Sequence, residues 1–240
     1  MRKRNLSELY QILVNRSKSV LSRISLRKSN CQSFSQFGED AILEKYLPES
    51  SGRYLDIGSG HPILGSNTYL LYRRGWTGTL IEPIQSLAAL SSRIRARDTV
   101  INKVVSKSTH PVNFYEFNPY QYSTTSVEYR NEKVLKGIKL KAEYLVQTIS
   151  VDDLRMTVEP LDPFLLSIDC EGEDFAVLES INFSLLLPRV ICIEDLGWSF
   201  ESSKESEVFK LLRANNYTLR GIAFPSLIFV HNHYLARIGG

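Results

Sequence analysis

The sequence is poor in cysteine and has no long hydrophobic run, and each shortage disfavours a class of protein. Three cysteines, Cys31, Cys170 and Cys192, occur among the 240 residues. They form no C-x-x-C pair, so neither a disulfide framework nor a zinc knuckle is expected, and a reducing compartment is indicated. No run approaches the roughly 18 apolar residues of a membrane-spanning helix. The N-terminus is basic without an unbroken apolar stretch, which argues against a secretory signal and for a cytoplasmic protein.

The chain also lacks a strong excess of either charge, but its charges are unevenly placed. It carries 29 Lys and Arg residues against 26 Asp and Glu residues, a net charge of +3. Residues 1–30 contain eight of the basic residues and one acid, Glu8, so this segment has a charge of +7 and the remainder has a charge of −4. A uniformly basic nucleic-acid-binding protein is therefore not expected. The pattern indicates a near-neutral body with a basic N-terminal arm.

The basic arm also has the pattern of an amphipathic helix. Its apolar residues recur at intervals of three and four: Leu6, Leu9, Tyr10, Leu13, Val14, Val20, Leu21 and Ile24. Two uses of such a helix stay open. It packs on its own domain or on a second copy of the chain, or residues 1–28 lie on an anionic membrane or dock a partner. We therefore divide the chain into an arm, residues 1–30, and a domain, residues 33–240, and expect no particular oligomeric state.

Strand and helix patterns alternate from residue 53 onward. The predicted strands cover residues 53–57, 78–82, 99–105, 164–169, 189–194, 217–224 and 227–231, and the predicted helices cover residues 66–74, 86–96, 173–180 and 204–214. Strands separated by helices predict right-handed βαβ units and a parallel sheet. The last two strands are joined by a very short turn and must be antiparallel. The fold class is therefore α/β, Rossmann-like, with a mostly parallel twisted sheet and a C-terminal antiparallel hairpin.

This alternation breaks between residues 106 and 150. Residues 111–117 can form a strand, residues 118–127 are polar and aromatic, and Ser150 with Asp153 resembles a capping box at the start of a short helix. An insertion at the ligand end of a sheet is where specificity usually resides. We therefore expect the segment at about 106–150 to form a cap over the substrate.

A glycine turn follows the first predicted strand. Asp56 lies within that strand, and Gly58-Ser59-Gly60 comes directly after it. Glycine permits a tight turn and the close approach of a ligand, and Glu82 ends the next strand, where a carboxylate can bind ribose hydroxyls. A dinucleotide fingerprint needs a third glycine at position 63, which is Ile63. The turn therefore favours an adenine nucleoside without a pyrophosphate, such as S-adenosylmethionine.

Short motifs in a fixed order connect the chain with a known family. They are Ser35-Gln36-Phe37-Gly38-Glu39-Asp40, Leu55-Asp56-Ile57-Gly58-Ser59-Gly60-His61-Pro62, Ser66-Asn67-Thr68-Tyr69, Gly75-Trp76-Thr77-Gly78, Ile81-Glu82-Pro83, Ser150-Val151-Asp152-Asp153-Leu154, Ile168-Asp169-Cys170-Glu171-Gly172-Glu173-Asp174 and Val177-Leu178. In this combination the chain resembles the FkbM-type S-adenosylmethionine-dependent methyltransferases of the class I Rossmann-like group. The resemblance covers about residues 33–232. The basic arm and residues 118–145 depart from the pattern.

The resemblance implies O-methylation, often of a sugar hydroxyl in a glycan or another small-molecule acceptor. It implies that the cofactor is contacted by Asp56, Gly58, Ser59, Gly60 and Asp169, that Glu82 binds its ribose, that Ser106 borders its adenine, and that Gln36 and Asp40 close over its methionine end. The expected partner is an acceptor molecule and not a nucleic acid.

Acidic residues follow two strands that we expect to be neighbours. Asp169 comes after a fully apolar strand, and Glu194 and Asp195 end the next one, so all three converge near Gly58. A hydroxyl is a poor nucleophile and needs a general base or a metal ion. We therefore name Asp169, Glu194 and His61 as candidate catalytic residues. If a metal is used, Asp169, Glu194 and Asp195 would bind it, and Mg²⁺ suits such oxygen ligands.

Several of these residues have simpler explanations, and two other functions stay in view. Glu173 and Asp174 are explained by the start of a helix, where acids complement the dipole. Trp198 and Phe200 either stack on a sugar or cover the core.

A nicotinamide-dependent sugar oxidoreductase or epimerase would need the third glycine and a Tyr-x-x-x-Lys pair, and neither is convincingly placed. A non-catalytic binding module is the other alternative.

Overall fold

The computed structural model describes residues 33–155, 163–201 and 206–235. The predicted arm, residues 1–30, and its proposed docking segment, residues 1–28, lie outside these ranges. Among the described residues, no helix is both long enough and apolar enough to span a membrane.

Seven of the described strands form one sheet in the order β10-β11-β9-β8-β1-β2-β3. The strands are β1 Arg53–Ile57, β2 Thr77–Ile81, β3 Thr99–Ile101, β4 Val104–Val105, β5 Val112–Asn118, β6 Lys139–Val146, β7 Thr148–Ile149, β8 Phe164–Ile168, β9 Val190–Glu194, β10 Tyr217–Ala223 and β11 Ser226–His231. Strands β3, β2, β1, β8 and β9 pair in parallel, whereas β11 is antiparallel to both β9 and β10. The predicted α/β class, the parallel sheet and the C-terminal hairpin are confirmed.

Short helices connect the strands. They are α1 Glu39–Tyr46, α2 Tyr69–Arg73, α3 Gln85–Ile94, α4 Val127–Leu135, α5 Val151–Arg155, α6 Asp174–Glu179, α7 Glu207–Ala214 and α8 Asn232–Leu235, with a 3₁₀ turn at Tyr120–Tyr122. Ser150 caps the start of the short helix predicted after it, because its hydroxyl accepts from the Asp153 N–H at 3.1 Å and donates to the Asp153 carboxylate at 2.7 Å. A serine side chain caps α4 and α7 in the same way.

The two faces of the sheet bury separate sets of side chains. Leu55 and Ile57 of β1 face one apolar cluster, while Tyr54 faces the other, as alternation along a strand requires. All five residues of β8 are buried, which is typical of a central parallel strand covered on both faces. The ends of β1 and β8 are therefore fixed by the core on either side.

The order of the strands places a crevice between β1 and β8. The chain proceeds from β1 outward through β2 and β3 on one side, and from β8 to β9 on the other side. In open α/β sheets, ligands bind at the carboxyl ends of the strands where the order reverses in this way. Gly58 follows β1 and Asp169 follows β8, so both lie at this point.

The expectation of one strand over residues 99–105 is wrong. Residues 99–101 form β3 beside β2, whereas residues 104–105 form β4 beside β7 in a separate two-stranded sheet. The break falls at Asn102, whose side-chain amide donates to the carbonyls of Glu82 and Pro83, each at 2.8 Å. These bonds turn the chain away from the main sheet after three residues.

The insertion at residues 106–150 has a fold of its own. Strand β5, which was predicted at 111–117, pairs with β6 in an antiparallel hairpin, and the 3₁₀ turn and α4 lie between these two strands. The Tyr115 N–H and carbonyl exchange hydrogen bonds with Thr124 at 2.8 and 3.1 Å. This pairing folds the connecting segment back beside β5.

Candidate active site

The glycine turn lies against the end of β8 in backbone contact. Gly58 has φ +77° and Gly60 has φ +57°, a region that side chains rarely adopt. A Cβ atom on Gly58 would lie 1.8 Å from the Asp169 carbonyl oxygen. The Gly58 and Ser59 N–H groups both donate to the Ile81 carbonyl, at 3.0 and 3.1 Å. Position 58 therefore requires glycine on two grounds, its φ angle and the close approach of Asp169.

Glu82 lies against this turn, where it was expected. One of its carboxylate oxygens accepts from the Gly60 N–H at 2.8 Å and the other accepts from the Ile84 N–H at 2.7 Å. Burial raises the pKa of Glu82 to about 7, and these two bonds oppose the rise. The Ser59 hydroxyl is buried and, among the described residues, has no hydrogen-bond partner. A buried acceptor and an unpartnered buried hydroxyl beside an open glycine turn fit a nucleoside cofactor.

Four acids gather at the carboxyl ends of β8 and β9. We call Asp169, Glu171, Asp174 and Glu194 the carboxylate cluster. Asp169 and Glu194 come side by side because β8 and β9 are parallel neighbours in register, with the last residue of β8 opposite Ile193. Asp169, Asp174 and Glu194 each have a carboxylate oxygen within 4.8 Å of those of the other two. The convergence expected for Asp169 and Glu194 is therefore present.

Burial and mutual repulsion perturb these acids strongly. Burial raises the pKa of Asp169 well above its ordinary value, and the charge of Glu194 adds to the rise. The pKa of Glu194 and that of Glu171 both rise to about 8, through burial and then through the charges of Glu171 and Asp169 respectively. One Glu194 oxygen, Oε2, is buried and has no hydrogen-bond partner among the described residues. Carboxyl groups whose pKa values lie close to neutral pH can accept a proton from a substrate.

Comparison with known proteins decides the family. The family model of the methyltransferase FkbM domain matches residues 56–219, more than half of the chain. The chain belongs to the FkbM methyltransferase family. It is an S-adenosylmethionine-dependent methyltransferase, so the reading as a nicotinamide-dependent oxidoreductase is set aside.

A TehB-like S-adenosylmethionine-dependent methyltransferase from Corynebacterium glutamicum is similar in structure, with a TM-score of 0.40 and 10% sequence identity over 91% of this chain and 99% of that chain. No curated protein matches the sequence.

Asp56 of this FkbM methyltransferase lies inside a buried polar network. It is 3% exposed, and the Thr68 hydroxyl donates to its carboxylate at 2.5 Å. Arg95 donates to Thr68 at 3.0 Å and to Asp98 at 2.8 Å. Burial raises the pKa of Asp56, while the Thr68 bond and the Arg95 charge lower it. The network fixes Asp56 behind the glycine turn, and its direct contact with the cofactor stays a prediction.

The structure does not bring Asp195 into the carboxylate cluster. Its carboxylate accepts from the Gly197 N–H at 3.2 Å and from the Ser206 hydroxyl at 2.6 Å, on the side of α7. The conditional metal set of Asp169, Glu194 and Asp195 is therefore not assembled, and Asp174 takes the third place. Asp174 is also the first residue of α6, as expected for an acid that complements the dipole at the start of a helix.

Two residues of the motif before β1 have local roles. The Asp40 carboxylate accepts from the Phe34 N–H at 2.6 Å and from the Ser35 hydroxyl at 2.8 Å, so it holds its own turn. Gln36 is exposed on that turn. Neither placement tests the expectation that they close over the methionine end of the cofactor.

Glu39 of the same motif was missed as a site residue. Its carboxylate is buried and accepts from the Ser226 hydroxyl at 3.1 Å and from the Phe37 N–H at 2.8 Å. Its charge is also among the causes that raise the pKa of Asp169 and of Glu194. The only sequence signal for it was an acid within a family motif.

The side chain of His61 forms hydrogen bonds within its own turn. Its Nδ1 accepts from the N–H groups of Ile63 and Leu64, each at 3.1 Å. An imidazole that accepts at Nδ1 carries its proton on Nε2 and has no free basic nitrogen. This geometry disfavours His61 as a general base. The Tyr120 hydroxyl also bonds to the His61 backbone, which brings the insertion onto this turn.

Ser106 lies in the wall of a cleft. The cleft measures about 350 Å³ and is bounded by β4, β5 and α6, with Val105, Tyr115 and Glu173 among its lining residues. The Ser106 hydroxyl accepts from the Ser108 N–H at 3.1 Å. The position suits an adenine-sized group, and the predicted contact itself is untested.

The insertion covers both turns of the site. The Tyr120 ring lies over Gly60, where a Cβ atom would be 3.6 Å from Tyr120 Cε2. The Tyr129 hydroxyl donates to the Glu171 carboxylate, and the Thr124 hydroxyl donates to the Glu171 carbonyl at 2.8 Å. These aromatic contacts were missed, because the stretch showed only a polar and aromatic composition without a clear period.

Proposed function

We propose that this FkbM methyltransferase moves a methyl group from S-adenosylmethionine to a hydroxyl group, on a sugar of a glycan or small-molecule acceptor. The observation that supports this most is the Glu194 oxygen that is buried without a hydrogen-bond partner beside Asp169. A hydroxyl must lose its proton during methylation, and an acceptor for that proton is what this crevice offers.

Each reacting group has a defined part in the proposed methyl transfer. Bound S-adenosylmethionine supplies a methyl group on a positively charged sulfur. The acceptor oxygen forms a bond to the methyl carbon, the carbon–sulfur bond breaks with its electron pair going to sulfur, and S-adenosylhomocysteine leaves. Glu194, or Asp169 beside it, accepts the hydroxyl proton. With a pKa of about 8, Glu194 is a stronger base than an ordinary carboxylate.

A divalent cation fits the cluster less directly. Asp169, Asp174 and Glu194 each bring a carboxylate oxygen within 4.8 Å of the other two, which is close enough for a shared ion. Both Asp174 oxygens already accept backbone N–H groups, from Cys170 at 2.7 Å and from Gly172 at 3.1 Å. We therefore assign the proton to a carboxylate, and a rate lost on EDTA treatment and restored by Mg²⁺ would contradict that assignment.

An aromatic residue after β9 supports a sugar as the acceptor. Trp198 is 6% exposed and packs into the core, whereas Phe200 is 80% exposed and meets Trp198 edge-on with ring centroids 4.7 Å apart. The exposed ring face of Phe200 offers an apolar surface on which a sugar ring can pack. Both residues follow Glu194 on the same loop, so this surface belongs to the crevice end of the sheet.

The test is a methyl-transfer assay with an acceptor panel and matched variants. Wild type, Glu194→Gln, Asp169→Asn and the surface control Glu207→Gln are incubated with methyl-labelled S-adenosylmethionine and monosaccharides, glycosides or amines. We expect label in a methyl ether, a turnover about 100-fold lower for Glu194→Gln or Asp169→Asn, and wild-type turnover for Glu207→Gln. S-adenosylhomocysteine binding, measured by calorimetry, should persist in all four. Label in amines alone, or full turnover in both acid variants, would contradict the proposal.

A further inference from the structure

Glu171 is held in a strained backbone conformation at the crevice. Its φ is +48°, in the left-handed region that favours glycine, and Gly172 follows with φ +97°. A residue with a side chain persists there only when its surroundings fix it, and such residues concentrate at functional sites. Nothing in the turn itself demands a glutamate, since glycine would adopt this φ without strain. The reason for the glutamate must therefore lie in its carboxylate.

The insertion forms hydrogen bonds to both the backbone and the side chain of Glu171. The Thr124 hydroxyl donates to the Glu171 carbonyl at 2.8 Å and itself accepts from the Ser126 N–H at 3.0 Å. The Tyr129 hydroxyl donates to Glu171 Oε2. The Tyr129 ring packs on the next residue, where a Cβ atom on Gly172 would lie 3.1 Å from the ring. Both the backbone and the side chain of Glu171 are thus positioned from β5–α4, a part of the chain that differs from the family motifs.

These contacts leave one carboxylate oxygen available. Tyr129 occupies Oε2, and the described residues supply no other hydrogen bond to the Glu171 carboxylate. Glu171 follows Asp169 and Cys170 in the turn after β8, and a Glu194 carboxylate oxygen lies within 4.8 Å of one from Asp169. The charge of Glu171 also raises the pKa of Glu194. Above its pKa of about 8 the Glu171 carboxylate is ionised and only accepts hydrogen bonds, so its partner at that pH must be a donor such as a hydroxyl. Oε1 is an oriented acceptor next to the residue that takes the proton.

We propose that Glu171 is an acceptor-binding residue, and that its Oε1 accepts a hydrogen bond from a hydroxyl adjacent to the one that is methylated. The acceptor class is then a molecule with neighbouring hydroxyls, a vicinal diol or polyol, rather than an isolated alcohol. This inference rests on the proposed O-methylation. It also gives the insertion a defined part in specificity, because Tyr129 and Thr124 determine where Oε1 points.

The first experiment separates strain from function and needs no acceptor for its stability arm. In Glu171→Gly, glycine relieves the left-handed φ, so we expect no fall in melting temperature despite the lost Tyr129 bond. The matched control is Asn216→Gly, which relieves a φ of +64° between α7 and β10, outside the site. Both variants should bind S-adenosylhomocysteine as wild type does. A large fall in melting temperature for Glu171→Gly alone would show a structural role and overturn the proposal.

The second experiment measures acceptor preference. A methyl hexopyranoside is compared with monodeoxy analogues that each lack one hydroxyl beside the methylated position. Wild type should favour the full diol by roughly 10- to 100-fold in kcat/KM, the value of one hydrogen bond to a charged group. Glu171→Gly should lose this preference, and Tyr129→Phe should reduce it. Tyr144→Phe removes the same hydroxyl elsewhere in the insertion, where it donates to Glu116 at 3.0 Å, and should retain the preference.

The outcomes distinguish this inference from the proposed function beneath it. If no hydroxyl is methylated at all, O-methylation fails and the inference fails with it. If wild type methylates a hydroxyl but treats diol and deoxy acceptors alike, the inference alone is overturned. Equal losses on both acceptors in Glu171→Gly would likewise overturn it, since an acceptor-binding residue must change the ratio.

Discussion

Gly58 is the residue at which the site tolerates least change. It combines φ +77° with a carbonyl oxygen 1.8 Å from where a Cβ would stand, and that oxygen belongs to Asp169 in the end of β8. Few side-chain movements can relieve such a contact, because both partners are backbone. Substitution here must shift either the glycine turn or the strand that carries the base.

We predict that Gly58→Ala loses about 2–5 kcal/mol of unfolding free energy, from overpacking together with backbone strain. The control is Gly137→Ala, where φ is +79° but no atom lies within 4 Å of the added methyl group. That variant should lose only about 1 kcal/mol, the cost of the left-handed backbone. Urea denaturation measures both, and equal losses in the two variants would show that the contact with Asp169 is unimportant.

Glu194 links the pH dependence of rate and of stability in opposite directions. Its pKa in the folded protein is about 8, well above the ordinary value of 4.5, and Glu171 behaves in the same way. Between these two values the folded state binds more protons than the unfolded state, so stability must fall as pH rises. The base must be ionised to act, so turnover must increase over the same range.

We therefore predict that the melting temperature falls from pH 5 to pH 8 while turnover rises towards a plateau above about pH 8. Glu194→Gln should make the fall in stability with pH less steep, with Glu171 still contributing, and remove most of the turnover. Glu207→Gln, on the exposed face of α7, should leave both profiles unchanged. A wild-type melting temperature that rises across this range would be incompatible with the assignment.

At the scale of elements, one buried arginine connects β1, α2 and α3. Arg95 follows α3 and donates to the Tyr54 hydroxyl of β1 at 2.7 Å, to Thr68 before α2 at 3.0 Å and to Asp98 at 2.8 Å. The side chains of Arg95 and Asp98 are both 0% exposed. Because Thr68 in turn holds Asp56, this network fixes the strand that ends in the glycine turn.

We predict that Arg95→Met destabilises the protein by about 3–5 kcal/mol, since it leaves Asp98 as an uncompensated buried charge. Arg93→Met changes an exposed arginine of the same helix and should have little effect. Chemical denaturation of the two variants tests this. Equal stabilities would show that the network contributes less than its burial indicates.

The regular elements could be predicted where a single face or both faces of a strand are apolar. Strand β1 was predicted with its observed bounds, Arg53–Ile57, because a short apolar run ends there in glycines. Helix α4 and strand β6 were not predicted. In β6 the half-buried Leu140, Ala142 and Tyr144 alternate with exposed charged residues, so its period of two was a usable signal that the prediction overlooked. A short side chain, Asn102, was enough to divide the strand expected at 99–105.

At the scale of the whole molecule, the sequence predicts which site residues lie close together only where those residues follow neighbouring strands of the sheet. Asp169 and Glu194 follow apolar strands that topology places side by side, so their convergence could be inferred. Glu39 meets Ser226 across 187 residues of sequence, and Tyr129 meets Glu171 across 42. Such contacts depend on how the first helix and the insertion pack, which no local pattern specifies.

The basic arm offers a test of how the molecule divides. All proposed site residues lie between Gln36 and Phe200, so we predict that a chain lacking residues 1–30 keeps the methyl-transfer rate of the full chain on a soluble acceptor. We also propose that residues 1–28 bind an anionic membrane, so co-sedimentation with phosphatidylserine vesicles should be lost on truncation. Vesicles of phosphatidylcholine alone are the control. Equal sedimentation of full and truncated chains would refute the membrane role.

The backbone contact between Gly58 and Asp169 has a consequence for how acceptor preference can change. The glycine turn proposed to bind the methyl donor and the segment that carries Asp169 meet at one junction, where a Cβ atom on Gly58 would lie 1.8 Å from the Asp169 carbonyl oxygen. An engineer who alters either strand end to admit a new acceptor will disturb donor affinity as well. Tyr120, Thr124 and Tyr129 lie in the segment between β5 and β6 and reach the site through their side chains, so they can be exchanged singly. Libraries that aim at new acceptors should vary these positions and leave the junction intact.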